Sequence, residues 1–115
     1  MTQATIDPAT FRALQETAGA EFVTELAQAF FEEAPLMFAE LESAYAAGDA
    51  DRFRRAAHSL KSNSNTFGAL VLGGLARDLE LAGLAAVRSS GRAKLEELAQ
   101  EYARVAAALK DLAGA

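Results

Sequence analysis

The chain of 115 residues contains no cysteine and a single histidine. The absent thiols exclude disulfides and thiolate chemistry, and they fit the reducing cytosol, so a cytoplasmic location is expected. One histidine without cysteine cannot build the usual zinc sites, and no metal ligand set is expected. Basic residues are outnumbered, 11 lysines and arginines against 16 aspartates and glutamates, and the net charge of −5 argues against a nucleic-acid partner. No apolar stretch approaches the roughly 20 residues that a membrane span needs, and the N-terminus lacks a basic region followed by an apolar run. A soluble, unexported protein without a membrane partner is expected. Hydrolase triads are excluded because neither a nucleophile elbow nor a strand scaffold is visible. The Gly73-Gly74 pair lacks the flanking strand of a phosphate-binding loop and is read as permitting close helix packing. Adjacent acids such as Glu32-Glu33 and Glu96-Glu97 diverge by about 100° on a helix and form no acid/base pair.

What remains is helical. The apolar fraction of 51% in 115 residues is enough for one domain with a real core, and a single domain over residues 1–115 is expected. Asp7 followed by Pro8 caps a short first helix that runs to about Glu16 and stops before Gly19. A second periodic stretch carries Phe22, Leu26, Phe30, Met37, Leu41 and Tyr45 and ends at Gly48-Asp49. Pro35 falls inside it and should kink or split it. A third helix bears His58, with Gly68 as its C-terminal cap. The fourth repeats Leu72, Leu75, Leu79, Ala82 and Ala86. After a loop through Ser89-Ser90-Gly91, a fifth repeats Leu95, Leu98, Tyr102, Val105, Leu109 and Leu112. Four long helices with short loops predict an all-α fold, an antiparallel up-down-up-down four-helix bundle with the short N-terminal helix as a lid.

The third helix is sharply amphipathic. Projecting Asp49 to Phe67 at about 100° per residue gathers Phe53, Ala56, Leu60, Ser64 and Phe67 opposite His58, so the imidazole must face water. Arg54, Arg55, Lys61, Ser62 and Asn65, at offsets of three, four and seven, share its side. From Asp49 to Gly68 four basic residues (Arg52, Arg54, Arg55, Lys61) stand against two acidic ones (Asp49, Asp51), a local +2 that leaves −7 on the rest. This basic island is either an ordinary solvated face or a docking face for an acidic partner site. Such surroundings suit a phosphoryl group. His58 precedes the turn at Gly68 by ten residues and Glu80 follows it by twelve, which places them at similar heights, about 15 and 18 Å from the turn. Glu80 is then within reach of His58, where its carboxylate would fix the tautomer and leave the other ring nitrogen free to attack. The alternative is a surface glutamate flanking the Leu79 stripe.

The run Ala57-His58-Ser59-Leu60-Lys61-Ser62, followed by Gly68-Ala69, resembles the signature of histidine phosphotransfer (HPt) domains: a histidine, a lysine three residues on, a small residue next, and a glycine ten after the histidine. The likeness extends to Ala46-Ala47-Gly48-Asp49, to Pro35 and to Leu79-Glu80, and so covers nearly the whole chain. The resemblance implies a four-helix bundle that accepts a phosphoryl group from an aspartyl phosphate on one receiver domain and passes it to another. It further implies that His58 is the phosphoacceptor, that Lys61 neutralises the transferred group, that Ser62 is the small residue where the partner approaches, and that Glu80 bonds the ring. The departure from the pattern is Ser62, where glycine is commonest.

On this reading the protein is a phosphorelay intermediate with His58 and Lys61 carrying the chemistry and Arg54, Arg55, Ser62 and Asn65 docking the partner. It has no cofactor of its own, and Mg²⁺ is expected from the receiver, since phosphoryl transfer depends mostly on alignment and electrostatics. No nucleotide site or autonomous kinase activity is expected. The partners are response-regulator receiver domains and a hybrid sensor kinase, and the protein is expected to be a monomer. One alternative is a helical module that docks receivers without taking phosphate. Another is the phosphoacceptor domain of a sensor kinase, which usually has an acid after the histidine, where this chain has Ser59. The starting Met1 and short ends favour a standalone protein over a domain cut from a hybrid kinase.

Overall fold

The computed structural model describes residues 4–114; Met1, on which the standalone expectation leaned, lies outside them. Among the described residues the regular structure is helical, with no strand. Helix α1 (Pro8–Ala18) starts where the Asp7 carboxylate accepts from the Thr10 amide at 3.0 Å and from the Thr10 hydroxyl at 2.6 Å. It runs two residues past the expected Glu16. Helix α2 (Ala20–Ala47) is one continuous element, so Pro35 does not split it. Pro35 is exposed, and buried Phe30, Ala34, Leu41 and Ala44 hold the segment against its neighbours on either side of the missing amide. At 1.5 Å per residue α2 is about 42 Å long, which accounts for the longest dimension of the molecule, 42 Å.

Helix α3 (Ala50–Thr66) begins at Asp49, whose side chain accepts from the Arg52 amide at 3.1 Å. Its phase is the one the sequence predicts: Phe53, Ala56, Leu60, Ser64 and Phe67 are buried. The Ser64 hydroxyl satisfies itself by donating to the Leu60 carbonyl at 2.7 Å. The helix ends in a Schellman turn, with the Ala69 amide donating to the Ser64 carbonyl and the Gly68 amide to the Asn65 carbonyl, both at 3.0 Å.

The fourth periodic stretch departs from expectation. It is not one helix to Ala86 but two, α4 (Leu70–Ala82) and α5 (Leu84–Ser90), separated at Gly83. Gly83 has φ +83° and ψ 160°, which no helix contains. The break resets the phase, so Ala86 is exposed while Leu84 and Val87 are buried, and Ala82, the last residue of α4, is exposed as well. In α6 (Ala93–Ala113) Leu95, Leu98, Val105 and Leu109 are buried as expected, but Leu112 is half exposed, as is Phe22 at the start of α2.

Helix α3 lies between α2 and α4, and α6 packs on both α4 and α2, while α1 rests on α2 and α3. The core between them is formed around Phe53, Leu60, Leu72, Leu79, Leu98 and Leu109. Phe30 joins it with ring centroids 5.4 Å from Phe67 and 5.8 Å from Tyr102, spacings at which tilted aromatic pairs attract. Burial pushes the Tyr102 hydroxyl up from its ordinary value.

Candidate functional site

The α3–α4 hairpin brings three of the sequence-predicted residues together. Glu80 on α4 divides its carboxylate between two residues of α3: Oε2 lies 2.7 Å from His58 Nδ1, and Oε1 accepts from Lys61 Nζ at 2.9 Å. Because His58 and Lys61 are three residues apart, they project from successive turns of one face, and a single carboxylate can span them. Burial differs among the three. The Glu80 side chain is 15% exposed, Lys61 24% and His58 55%. The carboxylate is therefore the inner anchor and the imidazole the outermost group.

Electrostatics fix the protonation pattern. The hydrogen bond from Lys61, and after it the one with His58, hold the Glu80 carboxyl below its ordinary value of 4.5, so it is ionised at neutral pH. An ionised carboxylate only accepts hydrogen bonds, which assigns a proton to His58 Nδ1. In the neutral ring the lone pair is then on Nε2. The arrangement is a nucleophilic nitrogen with a cation held one turn away.

The basic island is organised differently from a ring of free charges around His58. Arg54 and Arg55 are exposed, but both lean on Asp51, at 2.8 and 3.3 Å, and they hold its carboxyl below the ordinary aspartate value, Arg54 most. Arg52 turns to α2, with Nε 2.7 Å from Glu40 and a further bond to Ser43 at 3.1 Å. Ser62 and Asn65 are exposed further along the face, and the Asn65 side chain lies over Gly73. Close packing at the glycine pair thus holds for Gly73, while a Cβ at Gly74 would meet nothing within 4 Å.

Sequence reasoning missed an open groove between α2 and α3, lined among others by Leu36, Met37, Arg55, Ser59 and Asn63. It adjoins the His58 turn through Ser59, and Leu36 is 69% exposed at its side. The signal was available in Leu36, an apolar residue directly after Pro35 that lies outside the apolar repeat of α2. Among the described residues no group of three or more His, Cys, Asp or Glu side chains gathers as a metal site, and no helix is long and apolar enough to cross a membrane.

A surface histidine, braced by a carboxylate and flanked by a lysine, has the chemistry to accept and release a phosphoryl group. The family model of the Hpt domain matches residues 25–114, and the chain belongs to that family. It is a histidine phosphotransfer protein of the phosphorelay type, and proteins of this family interact with receiver domains in two-component phosphorelays. The crystal structure of histidine-containing phosphotransfer protein B (HptB) from Pseudomonas aeruginosa PAO1 is similar to the whole chain: its TM-score is 0.84 at 29% identity, over 98% of this chain and 97% of that one. Comparison with curated proteins found no match.

Proposed function

We infer that His58 is the phosphoacceptor, taking a phosphoryl group from a receiver aspartate through Nε2 and passing it to another receiver. The observation that carries this reading is the 2.7 Å contact of Glu80 with Nδ1, because it ties up one nitrogen and leaves the other, on a half-exposed ring, to attack. In the transfer the Nε2 lone pair forms the N–P bond as the P–O bond to the aspartyl carboxylate breaks, and the carboxylate leaves as the anion. The imidazolium so formed keeps its Nδ1 proton against Glu80. Lys61 compensates the charge on the moving group, and Glu80 orients the ring.

Docking is assigned to the same face. Ser62 lets the partner approach closely, Asn65 adds hydrogen-bonding capacity, and Arg54 and Arg55 meet the acidic pocket of the receiver, with the α2–α3 groove extending the surface. The receiver brings the Mg²⁺, and this chain brings no cofactor. The partners are response-regulator receivers and a hybrid sensor kinase. We read the chain as a single domain, a cytoplasmic monomer built as an up-down-up-down bundle of α2, α3, α4 and α6 with α1 as its lid. The circuit of contacts from α2 to α3, α4, α6 and back to α2 supports that architecture.

The test is relay between two receivers. With Mg²⁺ present, label on a first receiver should pass to this protein and then to a second receiver added later. The His58→Gln protein should block the second step as well as the first. Label reaching the second receiver equally well with His58→Gln would contradict the reading.

A further inference from the structure

Asn65 and Gly73 meet across the same seam that joins His58 to Glu80. Asn65 follows His58 by seven residues on α3, and Gly73 precedes Glu80 by seven on α4. Each interval is two helical turns, about 10.5 Å. Since the two helices reverse direction at Gly68, the two contacts are rungs of one antiparallel ladder.

Gly73 is buried in the interior of α4, and the space its missing side chain would fill is occupied. A Cβ at this position would overlap Asn65 Oδ1 and stand 2.8 Å from Asn65 Cγ and 3.3 Å from Nδ2. Glycine inside a helix is disfavoured relative to alanine because of its backbone entropy. The Asn65 carboxamide supplies the reason for it here. With a methyl group at 73 the amide must leave the seam, and an exposed asparagine on a helix has other χ1 wells to turn into.

We propose that Gly73 is a positioning residue for partner docking: it seats the Asn65 carboxamide between α3 and α4 and so fixes how Asn65 is presented beside Lys61 and Ser62. The inference rests on reading this face as the receiver-docking surface. A standard interface covers about 800 Å² per partner, a patch some 16 Å in radius. Asn65, about 10.5 Å from the phosphoacceptor along the helix, falls inside it.

The test is a double-mutant cycle on the full chain, using a phosphorylated receiver as the probe. Gly73→Ala should raise the receiver concentration for half-maximal transfer roughly threefold to tenfold, the worth of one misdirected hydrogen-bonding group. The transfer rate at saturating receiver and the NMR signals of the His58 ring nitrogens should not move. In an Asn65→Ala background, Gly73→Ala should have no further effect, because the atoms it displaces are gone. Gly74→Ala should change nothing. An equal effect in both backgrounds, an altered His58 ring signal, or no effect of Gly73→Ala would each overturn the proposal. If Gly73→Ala fails to fold, recovery of folding in the double variant supports it and failure of both overturns it. If the wild type accepts no phosphoryl group at all, the role of His58 fails separately. The seat is then read from the Asn65 side-chain amide signals, which should shift in Gly73→Ala and not in Gly74→Ala; unshifted signals would overturn it.

Discussion

Glu80 Oε1 lies 2.9 Å from Lys61 Nζ while its other oxygen lies 2.7 Å from His58 Nδ1, so one carboxylate restrains both the ring and the cation that stands beside it. Removing it should therefore loosen two groups at once. Glu80→Ala should slow transfer to His58 by a smaller factor than Lys61→Ala, because orientation is partly lost while the compensating charge remains. Single-turnover transfer rates from one phosphorylated receiver check the order. A larger loss in Glu80→Ala would show that the carboxylate does more than position its neighbours.

The same pair makes stability depend on pH in a defined direction. The Glu80 carboxyl is held below its ordinary value of 4.5, first by Lys61 and then by His58. A depressed carboxyl contributes stability that is present above 4.5 and is lost as the pH falls through the lowered folded-state value. Glu80→Gln lacks this titration. Denaturation midpoints of wild type and Glu80→Gln should converge on acidification below 4.5, and a difference that grows there would contradict the assigned ionisation.

Stability should follow the phase of α3. Leu60 is fully buried, and Leu60→Ala should cost about 2–5 kcal/mol through lost burial and the cavity left behind. His58 lies on the exposed face of the same helix, and His58→Gln should cost less than about 1 kcal/mol. Chemical denaturation that gave the reverse order would mean that α3 is rotated.

At the end of α3, Gly68 has φ +85°, and a Cβ there would stand 3.0 Å from the Asp7 carbonyl oxygen and from Thr10 Cβ. The Asp7 amide also donates to the Gly68 carbonyl at 2.8 Å. Gly68→Ala should therefore cost about 1–3 kcal/mol and detach the start of α1. Amide exchange at Asp7 reads the detachment directly; full protection there in the variant would refute the coupling.

Much of this was legible in the sequence because α3 is so strongly amphipathic. The exposure of His58, the buried row from Phe53 to Phe67 and the turn at Gly68 all follow from helical phase and glycine chemistry. Other features depend on tertiary context. Pro35 pointed to a kink or a split, and α2 is not split because packing on both sides outweighs one missing amide. The fourth repeat was expected to run unbroken to Ala86, yet Gly83 ends α4 and the buried positions after it are Leu84 and Val87. The arginines matched the face of His58, but their distance of three and four residues from Asp51 decides where the guanidinium groups go.

That last pairing gives two changes of opposite sign. Arg54→Glu with Arg55→Glu should lower the association rate with a receiver and weaken its salt dependence, whereas Asp51→Asn should free both arginines and raise the rate at low ionic strength. Stopped-flow association at low and high salt measures both. Rates unchanged in either variant would remove these side chains from docking.

The most direct measurement is the chemical identity of the phosphorylated group. After incubation with a phosphorylated receiver and Mg²⁺, the protein should carry a label that is lost in acid and survives alkali, as a phosphorus–imidazole nitrogen bond requires, and His58→Gln should carry none. Since His58 is the only histidine in the chain, a label that persists in His58→Gln, or one on the wild type that withstands acid, would contradict His58 as the acceptor.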